Sequence, residues 1–140
     1  MISAGTHIGR YKVLNSIGVG GMGEVFLAMD TELERLVALK FLLSNVSHDQ
    51  ERIQRFIQEA KAASALNHPN ILTIHEIGVG NGTRFIASEY INGKTLKNKL
   101  RSESLNLSEM IEIAVQISSA LNAAHSNRII HRDIKLQKKV

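Results

Sequence analysis

Three segments near the start of the chain read as strands: "RYKVLNSIG" (10–18), "EVFLAMD" (24–30) and "RLVALKFLL" (35–43). A glycine cluster and the polar stretch "DTELE" separate them, so an antiparallel meander is expected. The period then changes. Ile53, Phe56, Ile57, Ala60, Ala63 and Ser64 recur at helical spacing, and Ser47 with Gln50 three residues on suits a capping box. That helix should stop near "NHPN", because Pro69 cannot continue it. Strand text returns at 71–79 and 83–91, and Asn81-Gly82 between them is a strong hairpin signal. A short helix is expected from Thr95 to about Arg101. A longer one should follow Asn106, with Glu109 at its third position and a stripe of Met110, Ile113, Ala114, Ile117, Leu121 and Ala124. The expected fold class is α+β: a five-stranded antiparallel sheet carrying one helix, then the beginning of a helical unit.

Composition narrows the picture. The chain has 140 residues, 44% of them hydrophobic, enough for a modest core and against disorder. No apolar run approaches the roughly 18 residues a membrane span needs. "MISAGTHIGR" lacks the basic-then-apolar pattern of a secretory signal, so a cytoplasmic location is expected. With no cysteine there is neither a disulfide nor a thiolate metal site. The formal charge of +4 suits a phosphate ligand or a nucleic acid equally.

The chemistry-bearing text begins at "GVGGMGEV" (18–25), which contains G-x-G-x-x-G. A dinucleotide-binding unit would open a helix here and place an acid about 20 residues on. Neither is present, since "EVFLAMD" reads as a strand and "ALKFLL" holds no acid. What remains is a glycine-rich hairpin whose backbone N–H groups can approach phosphates, or a plain tight turn. Lys40 follows on the third strand, on the same face as Ala38. Its neighbours are too apolar for an outer face, so an anion is expected beside it. Glu59 borders the apolar face of the first helix whereas Glu51 lies on its water side, which makes Glu59 the better partner.

"IGVGGMGEVFLA", "VALK", "RFIQEAKAASALNHPNI", "FIASEYINGKTL" and "HRDIK" stand in the order and spacing of the eukaryotic-like protein kinases. The resemblance runs from about Tyr11 to Lys135 and is nearest in style to bacterial serine/threonine kinases. It implies ATP-dependent phosphoryl transfer to protein Ser/Thr hydroxyls, with ATP and Mg2+ as cofactors. By the same resemblance Gly18, Val19, Gly20, Gly21, Met22 and Gly23 would cover the phosphates of ATP, and Ile17 would belong to the same nucleotide site. Lys40 would hold the α- and β-phosphates and pair with Glu59. Val25 and Ala38 would wall the adenine, Ser88 would take the gatekeeper position, and Glu89 to Ile91 would form the hinge. Asp133 would accept the proton of the substrate hydroxyl, and Lys135 would sit near the γ-phosphate. His68 and His125 read as packing or capping residues.

The pattern then departs from the family. Leu136 and Lys138 stand where it has Pro and the metal-binding Asn, and the D-F-G segment is not in the chain. A protonated Lys ligates no metal, so no metal-binding residue is assigned and Mg2+ is not expected to be held well. The expectation is a kinase truncated in its catalytic loop and inactive alone, through a frameshift that would leave "DFG" in another reading frame. The alternative is a pseudokinase-like module that binds ATP or a partner. Expected boundaries are an N-terminal extension at 1–10 and a kinase domain at 11–140, with an N-lobe at about 11–91 and a partial C-lobe at about 95–140. Expected partners are ATP, an unspecified protein substrate and a second copy docking through helix 107–124. No nucleic acid is expected, because the tail of Lys135, Lys138 and Lys139 is short and holds no stacking aromatics.

Overall fold

The computed structural model describes residues 2–20, 23–42 and 49–130. They fall into two units, Met1–Ala65 with Leu72–Tyr90, and Leu66–Ile71 with Ile91–Val140.

The first unit is a six-stranded antiparallel sheet with one helix. Its strands are β1 (His7–Ile8), β2 (Tyr11–Val19), β3 (Gly23–Asp30), β4 (Arg35–Leu42), β5 (Ile74–Gly80) and β6 (Thr83–Glu89), in the order β1-β2-β3-β4-β6-β5. The two-residue β1 lies in the stretch expected to be a mere extension, and raises the strand number from five to six. Asn81 and Gly82 both take positive φ, 51° and 74°, and close the β5–β6 hairpin with Gly80 opposite Thr83. Helix α1 (Gln50–Ser64) starts from Asp49, whose side chain accepts from the amides of Glu51 and Arg52. This corrects the expected Ser47 capping box: the cap is Asp49, directly before the first helical residue, and it serves the amides of Glu51 and Arg52 instead of that of Gln50. Ser47 itself lies outside the described residues.

Alternate residues of the strands feed two different packings. On one face Val13, Phe26, Ala28, Val37, Leu39, Phe41, Phe85 and Ala87 form a sealed core with Ile8 and Tyr11. Phe41 meets Phe26 at 5.9 Å and Phe85 at 5.7 Å between ring centroids. The sheet curls around this core until its two edges meet. Tyr11 of β2 donates from its hydroxyl to Glu76 of β5 at 2.6 Å, and Ile8 of β1 packs where a Cβ on Gly80 of β5 would stand. Arg10 strengthens the seam with ion pairs to Asp30 at 3.4 Å and Glu76 at 3.6 Å. Asp30 is fully buried, and its other oxygen accepts from the amides of Glu32 and Leu33 to hold the β3–β4 turn. On the opposite face, α1 lays Phe56 and Ala60 over Leu42 and Ile86, with Ile53, Ile74 and Ile77 partly buried beside them.

The second unit holds α2 (Leu96–Ser102) and α3 (Leu107–Ser126). Thr95 caps α2, and Asn106 with Glu109 forms a reciprocal capping box on α3. Glu103 takes Lys94 at 3.0 Å and Lys99 at 3.5 Å, and the hydrogen bond from Lys94 is the main cause that holds its carboxyl below the ordinary range. His68 accepts from the Asn70 amide at Nδ1, and its Nε2 meets the Ser119 hydroxyl at 2.9 Å. The expected stripe of α3 is unevenly covered. Ala124 is buried and Ile113 and Leu121 are half-buried, while Met110 and Ile117 are exposed together with Ile111 and Val115 off the stripe.

Candidate nucleotide site

In an antiparallel sheet, residues directly opposite share a face. Two cross-strand rows therefore define the face that α1 covers only in part. One runs Gly18, Val25, Lys40, Ile86, Ile77, and the other Asn15, Leu27, Ala38, Ser88, Ile74. In each row the β6 member is buried, Val25, Leu27 and Ala38 are half-buried like Ile77 and Ile74 of β5, and Lys40 is exposed.

The glycine-rich turn stands above the first row. The Gly20 amide donates to the Gly23 carbonyl at 2.7 Å and closes the β2–β3 hairpin. Gly18 has open space where a side chain would begin, so its backbone can be approached closely. Gly23 is glycine for a packing reason: a Cβ there would run into the Phe41 carbonyl oxygen of β4. Register shifts set Ile17 out of pairing between Ser16 and Gly18, and Ile17 and Val19 are both exposed. Gly21 and Met22 lie outside the described residues.

Lys40 differs from the expectation that its apolar neighbours exclude an outer face. Val37, Leu39 and Phe41 point to the sealed core, so alternation turns Lys40 to the other side. Its stem passes 3.5 Å from the Cβ position of Gly23, and its ammonium lies 5.9 Å from the centre of the Phe56 ring on α1. Glu59 stands three residues beyond Phe56 and is exposed. Glycine turn, lysine and helix thus meet at one corner of the sheet.

Ser88 is buried on β6 opposite Ala38, and Glu89 ends the strand opposite Val37. Glu89 makes two bonds to Thr73: its amide donates to the Thr73 carbonyl at 2.9 Å, and its carboxylate accepts from the Thr73 amide at 2.7 Å. The chain passes from the first unit to the second between Tyr90 and Ile91. Asp133 and Lys135 lie outside the described residues. Sequence reading missed Thr73, and no local signal marks it, since its partner is 16 positions away. It also missed His75, at the β5 register shift, whose imidazole is held below its ordinary value, first by burial and then by Arg35.

The open corner gathers an apolar, small-residue surface at Val25 and Ala38, an unobstructed backbone at Gly18, and the Lys40 ammonium. For a metal ion, no group of three His, Cys, Asp or Glu side chains gathers among the described residues.

Residues 11–138 match the protein kinase domain family, and the chain belongs to that family. Its relatives set it among the serine/threonine protein kinases. It is 45% identical to the serine/threonine-protein kinase PrkC of Bacillus subtilis over 128 residues, covering 91% of this chain and 20% of that protein. It is 36% identical to PknJ of Mycobacterium tuberculosis over 134 residues, which is 96% of this chain and 23% of that one. Among solved structures, the PknI kinase domain of Mycobacterium tuberculosis superposes with a TM-score of 0.82 at 29% identity, covering 98% of this chain and 56% of that domain. The chain therefore spans about a fifth of the length of the curated relatives it matches. The family in general uses ATP and Mg2+ and phosphorylates proteins. No helix among the described residues is long and apolar enough to cross a membrane.

Proposed function

We propose that the first unit grasps ATP on its open sheet face, as the nucleotide-binding part of a serine/threonine kinase. Backbone groups of Gly18 to Gly23 meet the phosphates, Lys40 neutralises them beside Glu59, and Val25, Ala38 and Ser88 line the adenine. Glu89 and Ile91 offer backbone groups to the base edge. Asp133 takes the substrate proton and Lys135 stands by the γ-phosphate. The observation that carries this reading is the meeting of Gly23, Lys40 and α1 at one corner of the half-open face.

Lys138, at the position of the family's metal-binding Asn, favours weak Mg2+ binding, and little or no phosphoryl transfer by this chain alone. That residue also supports a second reading, a module that binds nucleotide without turning it over. The exposed Met110 and Ile117 support self-association through α3.

ATP titration of the purified chain and of Lys40→Met, each with and without Mg2+, tests the reading. Loss of a charge-assisted contact should weaken ATP by about tenfold or more. A soluble, folded chain that binds no ATP, or that binds it equally well as Lys40→Met, sinks it.

A further inference from the structure

The chain leaves the first unit after Ala65, re-enters it at Leu72 and leaves again after Tyr90. Thr73 is the second residue after re-entry, and Glu89 the second before the last exit. These two are tied twice, backbone to backbone at 2.9 Å and Thr73 amide to Glu89 carboxylate at 2.7 Å. The second bond is short because the acceptor is charged. One side chain therefore satisfies the amide of the incoming segment while its own amide is held by that segment's carbonyl.

The position gives the clasp its meaning. Regular pairing of β6 with β5 runs to Ser88 opposite Ile74, and pairing with β4 ends at Glu89 opposite Val37. Beyond that residue no strand continues. A strand end frays where its ladder stops, and the residues that offer backbone groups to adenine lie at that end. We infer that the Glu89 carboxylate is a positioning residue for the base: by clasping Thr73 it fixes the backbone of 89–91 in the arrangement that receives the adenine edge. This rests on the proposed nucleotide reading, and deepens it by giving the Glu89 side chain a task separate from its backbone.

The test compares ATP and adenosine as ligands in calorimetric titrations of the whole chain. Glu89→Leu removes the acceptor. Glu89→Asp keeps the charge but is one methylene too short, and serves if the leucine variant does not fold. Either should weaken ATP and adenosine by the same factor, about five- to tenfold, because the defect sits at the base. Glu89→Gln, which keeps an oxygen acceptor at the right length, should recover most of the loss. Lys40→Met should instead weaken ATP more than adenosine. Hydrogen exchange at the Thr73 amide should quicken in the leucine and aspartate variants and slow again in glutamine.

Unchanged affinity in both short variants overturns the clasp and leaves the nucleotide reading standing. So does a loss confined to ATP, or a glutamine variant as poor as leucine. A wild-type chain that binds neither ligand overturns both readings together.

Discussion

The two faces of the sheet are built from alternate residues of the same strands, yet they serve opposite ends. On the sealed face Val13, Ala28, Val37, Leu39 and Ala87 have no exposed surface at all. On the other, α1 covers Leu42 and Ile86 but leaves Val25, Leu27 and Ala38 half-open and Lys40 exposed. Burial of apolar surface at roughly 25 cal/mol per Å2 concentrates stability where the sheet curls upon itself. The half-open face forgoes part of that gain, and on the proposed reading it is the face that takes the nucleotide. If this division is right, substitutions on the sealed face damage folding first, and substitutions on the open face damage binding first.

The largest effect is expected at Phe41, which is 2% exposed and touches both Phe26 and Phe85. Phe41→Ala should destabilise the chain by about 3–5 kcal/mol in urea unfolding. A cost below about 1 kcal/mol would mean that the curled core is not tightly packed and would erase the contrast between the faces.

A smaller effect is expected at the seam where the curled edges meet. Tyr11→Phe removes the hydroxyl bonded to Glu76, a neutral donor on a charged acceptor, at a cost of about 1–3 kcal/mol. The pH dependence sharpens the test. Burial above all, and then the bond to Glu76, push the Tyr11 hydroxyl up from its ordinary 10.0 to about 12. The folded state thus holds this proton more tightly than the unfolded one, so its contribution is complete below pH 10.0 and lost as pH rises to about 12. Melting temperatures measured across that window should fall more steeply for wild type than for Tyr11→Phe. Parallel curves would show that folding does not tighten the hold on the Tyr11 proton.

Local text carried most of the architecture. Asn81-Gly82, Thr95, and Asn106 with Glu109 announce their turn and helix starts because the physics there involves residues a few positions apart. The same text left out what depends on distant partners. Nothing near Tyr11 predicts Glu76, 65 positions on, and nothing near Thr73 predicts Glu89. The strand β1 was missed because two residues carry too little pattern to separate a strand from a turn. Of the candidate site, the glycine turn and Lys40 were legible as types, but the exposure of Lys40 was misread. Counting apolar neighbours in sequence ignored that alternation sends them to the opposite face.

The smallest effect on stability and a large one on binding are expected together at Ala38. It lies between Leu27 and Ser88 in its cross-strand row, on the half-open face. A larger side chain there extends into open space rather than into the sealed core, so Ala38→Leu should change unfolding stability by no more than about 0.5 kcal/mol. On the proposed reading the added atoms occupy the volume of the adenine ring, and ATP affinity should fall by more than about tenfold, since overpacking a close-fitting wall costs roughly 1–3 kcal/mol. The pairing of the two measurements is what gives the variant its force. A stable Ala38→Leu chain that still binds ATP as wild type does would place the base elsewhere. One that loses stability as Phe41→Ala does would show that this face is as closed as the other.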